Sequence, residues 1–286
     1  MKNFHVISTG TSILANFSRE ANKERKFKDV HDKYLMKDWA TLNPNDQRQK
    51  DIEAYIPEGN EVHETLYEFI KKDPKSASAE LNSFLSFIKE YGQSKDSIEL
   101  ALYCTDTANN RLCAQLVYEY LQEEGFRMVG EPIKIKGISA LRDFESGLLE
   151  ILDKVVRIIV DKSKQGYDIF ISATAGFKPE TTFFVIAASL CSLKSPTVYY
   201  IHESFKSIVT LPLLPLQVPE EYLKIAEEFK EPKHQNEVLD ILNKKFNRGY
   251  DYFVYLLNNR ILEQTSDFMI KTSTWLRKIL EIKNSY

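Results

Sequence analysis

The chain has 286 residues, 43% hydrophobic and 28% charged, which is the make-up of an ordinary globular protein and enough for one domain plus a smaller appendage. No apolar run approaches the roughly 20 residues of a membrane-spanning helix, so the composition excludes a membrane-spanning protein. A formal net charge of -3 argues against a broad basic face for long nucleic acid, which needs many clustered phosphate contacts, and leaves room for a small anion in a local pocket.

The N-terminal "MKNFHVIST" lacks the basic region, apolar core and cleavage site of a signal peptide, so a cytoplasmic location is expected. Its apolar part, Phe4 to Ser8, reads as a buried strand, and "STGTS" follows, with a helix beginning after Thr11. The segment from about 18 to 95 is polar and helical, with "TLNPNDQ" as a loop, and reads as an insertion before the second strand. That strand is "IELALYCT", Ile98 to Thr105; after it "RLCAQLVYEYLQEEGF" repeats apolar residues at helical spacing until Gly125 stops it. A further strand lies near Pro132 to Ile135, followed by a long amphipathic helix that ends at Gly166. Tyr167 to Gly176 is the next strand; the helix after it carries Pro179 in its first turn, where proline is well tolerated. "TVYYIHES" and "IVTLPLLPL" form a closing hairpin around Glu203 to Lys206.

Strands alternating with helices specify an α/β fold, a Rossmann-like, mostly parallel sheet with helices on both faces. In such sheets ligands bind beyond the carboxyl ends of the strands, at a switch in strand order. The polar tips "STGTS", "CTDTANN" and "SATAGFK" all fall at those ends. Past the prolines at 212, 215 and 219 the chain reads as helical to its end, giving a ligand-binding domain over 1–212 and a small C-terminal helical domain over 217–286.

Glycine and small hydroxyl residues at a strand-to-helix turn let backbone N–H groups approach an anion, and the helix N-terminus adds partial positive charge. One such turn is better read as a simple cap; two at the same end of one sheet, "STGTS" and "SATAGFKPE", favour a phosphate site. Lys178 would bring a full positive charge there. Neither turn has the spacing of a Walker loop or of G-x-G-x-x-G. Asp106 reads as an N-cap, and Arg111 either lies on the helix surface or reaches toward a phosphate.

The five histidines show no ligand spacing, so neither a metal nor a cofactor is expected, and His5 and His202 read as packing residues. Cys104, Cys113 and Cys191 fit neither a disulfide framework nor a zinc site and read as reduced, buried residues. The aromatic stripes "YDYFVYLL" and "TTFFVIAA" read as core or interface. Lys244, Lys245, Arg248, Arg277 and Lys278 raise the idea of a nucleic-acid-binding winged helix, but the interspersed acids favour a solvated face.

"STGTSIL", "CTDTANNRLCA", "SATAGFKPE" and "VYYIHESFKSIVTLPLLPL", in this order over roughly 1–212, resemble the CRISPR-associated Rossmann fold (CARF) proteins. These sense or degrade the cyclic oligoadenylates made by type III CRISPR complexes. The family usually has two glycines where this chain has Ala175 and Gly176. Its C-terminal ribonuclease motif R-x-x-x-x-H has no counterpart, since no histidine follows His234. The resemblance therefore implies a stand-alone ring nuclease, a homodimer that cuts cyclic oligoadenylate, with cyclic tetra-adenylate as the expected ring, without metal. The alternative is a non-catalytic sensor or transcription regulator acting through the C-terminal helices. On the ring-nuclease reading Ser12, Lys178 and Arg111 are catalytic: the two cations stabilise the phosphorane, and Ser12 orients the 2′-OH or bonds a nonbridging oxygen. Thr9, Gly10, Thr11, Thr105, Asp106, Thr174, Ala175, Gly176 and Phe177 hold the ligand.

Overall fold

The computed structural model describes residues 2–137, 144–176, 178–191, 196–201 and 207–284. The chain divides into two compact units, 1–215 and 216–286. In the first, strand β1 (Lys2–Ser8) leads into α1 (Ser12–Glu20). The helices α2 (Arg25–Lys33), α3 (Arg48–Glu53), α4 (Glu61–Lys72), α5 (Pro74–Ala77) and α6 (Ala79–Glu90) follow before β2 (Ile98–Thr105). Next come α7 (Ala108–Glu123), β3 (Arg127–Met128), β4 (Ile133–Ile135), α8 (Phe144–Lys164), β5 (Tyr167–Ser172), α9 (Lys178–Leu190), β6 (Thr197–Ile201) and β7 (Ile208–Leu211).

These strands make one sheet in the order β3-β2-β1-β5-β6-β7, with β4 also pairing to β2. All pairings are parallel except β6 with β7. The chain builds outward from β1 through β2 to one edge, then crosses to lay β5 on the other side of β1. The switch point thus lies between the carboxyl ends of β1 and β5, where an open α/β sheet leaves its ligand crevice.

Both β1 and β2 are buried along nearly their whole length, as central strands covered on two faces must be. Alternation along β1 sends His5 and Ile7 to one face and Phe4 to the other. Ile7 joins the core made with α1, α7 and the helices of the insertion. His5 packs against Phe84 and Phe87 of α6 and stacks on Phe170. On the opposite face the Lys162 ammonium of α8 lies over the Phe4 ring. The insertion is therefore one wall of the main core.

Three sequence expectations are revised. Strand β5 stops at Ser172, because Thr174 to Gly176 turn away to form the tip. The short β3 had no recognisable pattern at two residues long. The C-terminal unit is not all helix: α10 (Glu220–Glu228), α11 (Gln235–Phe246) and α12 (Tyr250–Asn258) precede an antiparallel pair, β8 (Leu262–Gln264) and β9 (Ile270–Thr272), before α13 (Thr274–Asn284). Lys233 pairs with Ile270 as a third strand position. Two helices joined by a tight turn and followed by a hairpin form a winged-helix topology. Its core includes Ile225, Phe229, Leu242, Leu256 and Leu276. Strands of three residues are too short for their alternation to stand out in sequence. The turn expected at Glu203 to Lys206, and His202, lie outside the described residues.

Candidate functional site at the switch point

The tips of β1 and β5 touch through backbone. Gly176 has φ +103°, and a Cβ on it would stand 2.2 Å from Ser8 Oγ. A Cβ on Gly10 would meet the Gly176 nitrogen at 3.0 Å. Glycine is thus required at 176 on two counts, conformation and space. The alanine at 175 leaves this contact intact, since the close approach is made by Gly10 and Gly176.

After β1 the polar groups are mostly committed inward. Thr9 is fully buried; its N–H and hydroxyl both donate to the Tyr103 carbonyl, at 2.8 and 2.9 Å. Thr9 is therefore a brace behind the site. The Gly10 N–H donates to Glu80 Oε1 at 2.5 Å. The Ser12 hydroxyl donates to Glu80 Oε2 at 2.7 Å and accepts the Ala79 N–H at 3.0 Å. Thr11 donates to the Ala40 carbonyl at 2.8 Å. After β5 the Thr174 hydroxyl donates to Ser83 Oγ at 2.7 Å and accepts the Ile201 N–H at 3.0 Å. Helix α6 of the insertion thus bridges both tips, with Glu80 in its first turn and Ser83 one turn on.

The third tip is built by amides. Asn110 Nδ2 donates to the Thr9 carbonyl at 3.0 Å, and Asn109 Nδ2 donates to the Trp39 carbonyl at 2.8 Å. Thr107, not Asp106, caps α7, and it makes no side-chain cap bond; its hydroxyl lies 3.1 Å from that of Thr105. Asp106 lines a separate cavity of about 300 Å³ with Gln49, Lys50 and Glu53. Arg111 points away from the switch point: its Nη1 donates to both oxygens of Glu53, at 2.6 and 2.7 Å.

These turns surround a cavity of about 750 Å³ lined by Gly10, Thr11, Ser12, Thr105, Thr107, Asn109, Asn110, Thr174, Ala175 and Gly176, and closed on the insertion side by Ala40 to Leu42, Pro44 and Ala79. The volume suits a nucleotide-sized ligand. Among the described residues no lysine or arginine lines it. Positive potential therefore comes first from the N-termini of α1 and α7, whose first-turn residues line the cavity, and from α9, which begins two residues past Gly176. Lys178 heads α9, two residues past Gly176 and exposed. Phe177 lies outside the described residues.

The sequence motifs brought Gly10, Thr11, Ser12, Thr105 and Thr174 to Gly176 together; they did not reveal Glu80, Ser83 or the wall from Ala40 to Pro44. Asn109 and Asn110 stood inside a quoted motif without a role, although adjacent asparagines in the first turn of a helix are a detectable signal of side-chain bonding to a neighbouring tip. His5 is enclosed; its Nδ1 is 3.1 Å from the Tyr199 hydroxyl and its Nε2 is 2.7 Å from Gln93 Oε1. Burial lowers its pKa to about 3, so the ring is neutral and structural. The three cysteines are free and buried, and burial pushes the thiols of Cys104 and Cys191 up to about 12. Among the described residues no group of three or more His, Cys, Asp or Glu side chains is gathered as a metal site, and no helix is long and apolar enough to cross a membrane.

Residues 75–214, from α5 to just past β7, match the model of the family described as CRISPR-associated protein (Cas_APE2256). That stretch supplies the β2 and β5 tips, Glu80 and Ser83. Over that stretch the chain is similar to a CRISPR-associated protein family, consistent with the CARF type that its strand tips resemble.

Proposed function

We propose that this protein is a ring nuclease: it binds cyclic oligoadenylate at the switch point as a homodimer and opens the ring, ending type III CRISPR signalling. The observation that carries this reading is the meeting of the β1 and β5 tips in one neutral, hydroxyl-lined cavity with Lys178 at the head of α9. Cyclic tetra-adenylate is the ring we expect, shared between two copies of the cavity.

The chemistry follows from the substrate. Each ribose holds its 2′-OH beside its own phosphate, so a site that fixes the in-line arrangement supplies much of the catalysis by positioning. The 2′-oxygen bonds to phosphorus and loses its proton, the bond from phosphorus to the 5′-oxygen breaks, and that oxygen takes up a proton. The products are linear fragments ending in a 2′,3′-cyclic phosphate and a 5′-hydroxyl. No metal ion is needed for this step. Helix N-termini hold the phosphates, and the Lys178 ammonium stabilises the added negative charge of the phosphorane. Ser12 meets the ribose hydroxyl. Arg111 reaches the phosphate only by leaving Glu53, so its part is secondary to that of Lys178.

One observation favours the sensor reading: the winged-helix topology of 216–286, a fold element suited to docking on a partner. Its α12, at the position of a recognition helix, has the sequence "YDYFVYLLN", with no basic residue and one acid. Lys244, Lys245 and Arg248 are each paired with a carboxylate, Asp240, Glu228 and Glu221. Incubating the protein with cyclic tetra-adenylate in EDTA and separating the products tests the proposal. Linear products with cyclic phosphate ends are expected; a ring bound and returned intact would replace the enzyme with the sensor.

A further inference from the structure

Glu80 bonds directly to two of the groups expected to meet the ligand, the Gly10 N–H and the Ser12 hydroxyl. It is 1% exposed, and three donors converge on it. The Gly10 N–H bonds Oε1; the hydroxyls of Ser12 and Ser78 bond Oε2 at 2.7 and 2.6 Å. Ser78 is also the N-cap of α6 and accepts the Leu81 N–H, so the carboxylate sits on a fixed helical turn.

A serine hydroxyl has one proton and two lone pairs. The proton of Ser12 is given to Glu80, and one lone pair takes the Ala79 N–H. What remains for the cavity is a single lone pair. Ser12 facing a ligand is therefore an acceptor and has no proton to offer. A nonbridging phosphate oxygen, which accepts only, finds nothing in this hydroxyl, whereas a ribose 2′-OH does. The Gly10 N–H is likewise occupied and is not available to a phosphate.

We infer that Glu80 is a positioning residue: by holding the Ser12 proton it fixes Ser12 as an acceptor for the 2′-OH of the ligand. This rests on the ring-binding reading above. Bonded to Ser12, the 2′-hydroxyl proton points away from phosphorus and the oxygen lone pairs are free to approach it. The part of Glu80 is to set the direction of a hydrogen bond, with no contact of its own to substrate.

Glu80→Gln changes that direction while keeping the shape. The Gly10 N–H requires the amide oxygen, which leaves the amide nitrogen to donate toward Ser12 and turns the serine proton into the cavity. The experiment is calorimetric binding of cyclic tetra-adenylate and of its all-2′-deoxy analogue, which cannot be cut, by the wild type, Glu80→Gln and Ser12→Ala. The wild type should hold the ribose ring about 2- to 10-fold more tightly than the deoxy ring, the worth of one neutral hydrogen bond. Both variants should bring the ratio to about 1 with little loss of affinity for the deoxy ring. Where cleavage is measured, Glu80→Gln should lower kcat and raise KM by no more than the same roughly 2- to 10-fold. A wild type that binds both rings equally, or a Glu80→Gln protein that keeps the preference, overturns the inference while leaving ring binding standing. If neither ring binds, the ring-binding reading itself fails and the inference with it. Should Glu80→Gln not fold, Ser12→Ala alone decides whether the serine lone pair reads the 2′-OH.

Discussion

Gly10 and Gly176, 166 positions apart in the chain, come so close that a methyl group on either would enter the other's turn or the strand below it. This contact sets how near the two tips stand and so the shape of the cavity between them. Gly176→Ala must both leave a φ of +103° and clear Ser8 Oγ at 2.2 Å, at a cost of about 2 kcal/mol or more. The variant should melt earlier and lose ring binding. Gly10→Ala, with one backbone contact at 3.0 Å and no positive φ, should be milder in both. Urea denaturation followed by calorimetry ranks the two.

Arg111 and Lys178 are separated by their partners. Arg111 is held by Glu53, whereas Lys178 is exposed at the head of α9, two residues past the cavity-lining Gly176. Arg111→Ala should therefore change kcat by less than about 3-fold, while removing Lys178 should cost at least 100-fold, the scale seen when a transition-state charge stabiliser is lost. Single-turnover rates on the two variants check this.

Two buried histidines give stability a pH dependence of opposite sign. His5 has its pKa lowered from 6.5 to about 3, first by burial, against the hydrogen bond that its ring N–H donates to Gln93 Oε1. The unfolded chain binds that proton more readily, so this contribution is intact above pH 6.5 and falls by about 1.4 kcal/mol per pH unit between roughly 6.5 and 3. His63 is raised above 6.5: burial opposes the charge, but the Glu119 carboxylate at 2.7 Å outweighs it. Its contribution is complete below 6.5 and is lost as pH rises through the folded value. The two together place the most stable pH near neutrality. Chemical denaturation from pH 4 to 9 should show that maximum, and His63→Gln should flatten the decline that begins just above about pH 6.5.

How far the site could be read in sequence depends on where each piece came from. The tips after β1, β2 and β5 were legible, because a buried apolar run that ends in Gly, Ser, Thr or Asn marks both the strand and its exit. Their assembly followed from the alternation of strands with helices, which fixes a parallel sheet and hence one common end. Glu80 was not legible. In "SASAEL" it reads as an ordinary acid in the first turn of a helix, favourable to the dipole wherever that helix lies. Only the docking of α6 across β1 and β5 makes it part of the site, and that packing is set by Phe84 and Phe87 against His5, a contact between segments some 80 residues apart. Arg111 shows the converse: a cation one turn into the α7 helix looked available, and Glu53 from the insertion takes it.

The winged-helix unit carries a prediction about duplex DNA. A helix at the recognition position with no lysine or arginine lacks the phosphate contacts that supply most of the affinity. Residues 216–286 within the full chain should therefore give no salt-dependent binding of a 30-bp duplex at 150 mM salt, with or without ring. Fluorescence anisotropy at 50 and 150 mM checks it, and a steep loss of strong binding between the two would favour the regulator reading.

The central claim is that the cavity between β1 and β5 opens a cyclic oligoadenylate with Lys178 as its charge. The most direct measurement compares wild type and Lys178→Ala in EDTA, reading ring binding by calorimetry and products of cyclic tetra- and hexa-adenylate by chromatography. The account predicts linear products with 2′,3′-cyclic phosphate ends from the wild type, and from the variant a ring that is bound but stays closed. A wild type that binds the ring and never opens it, or a variant that cuts as fast as the wild type, would contradict it.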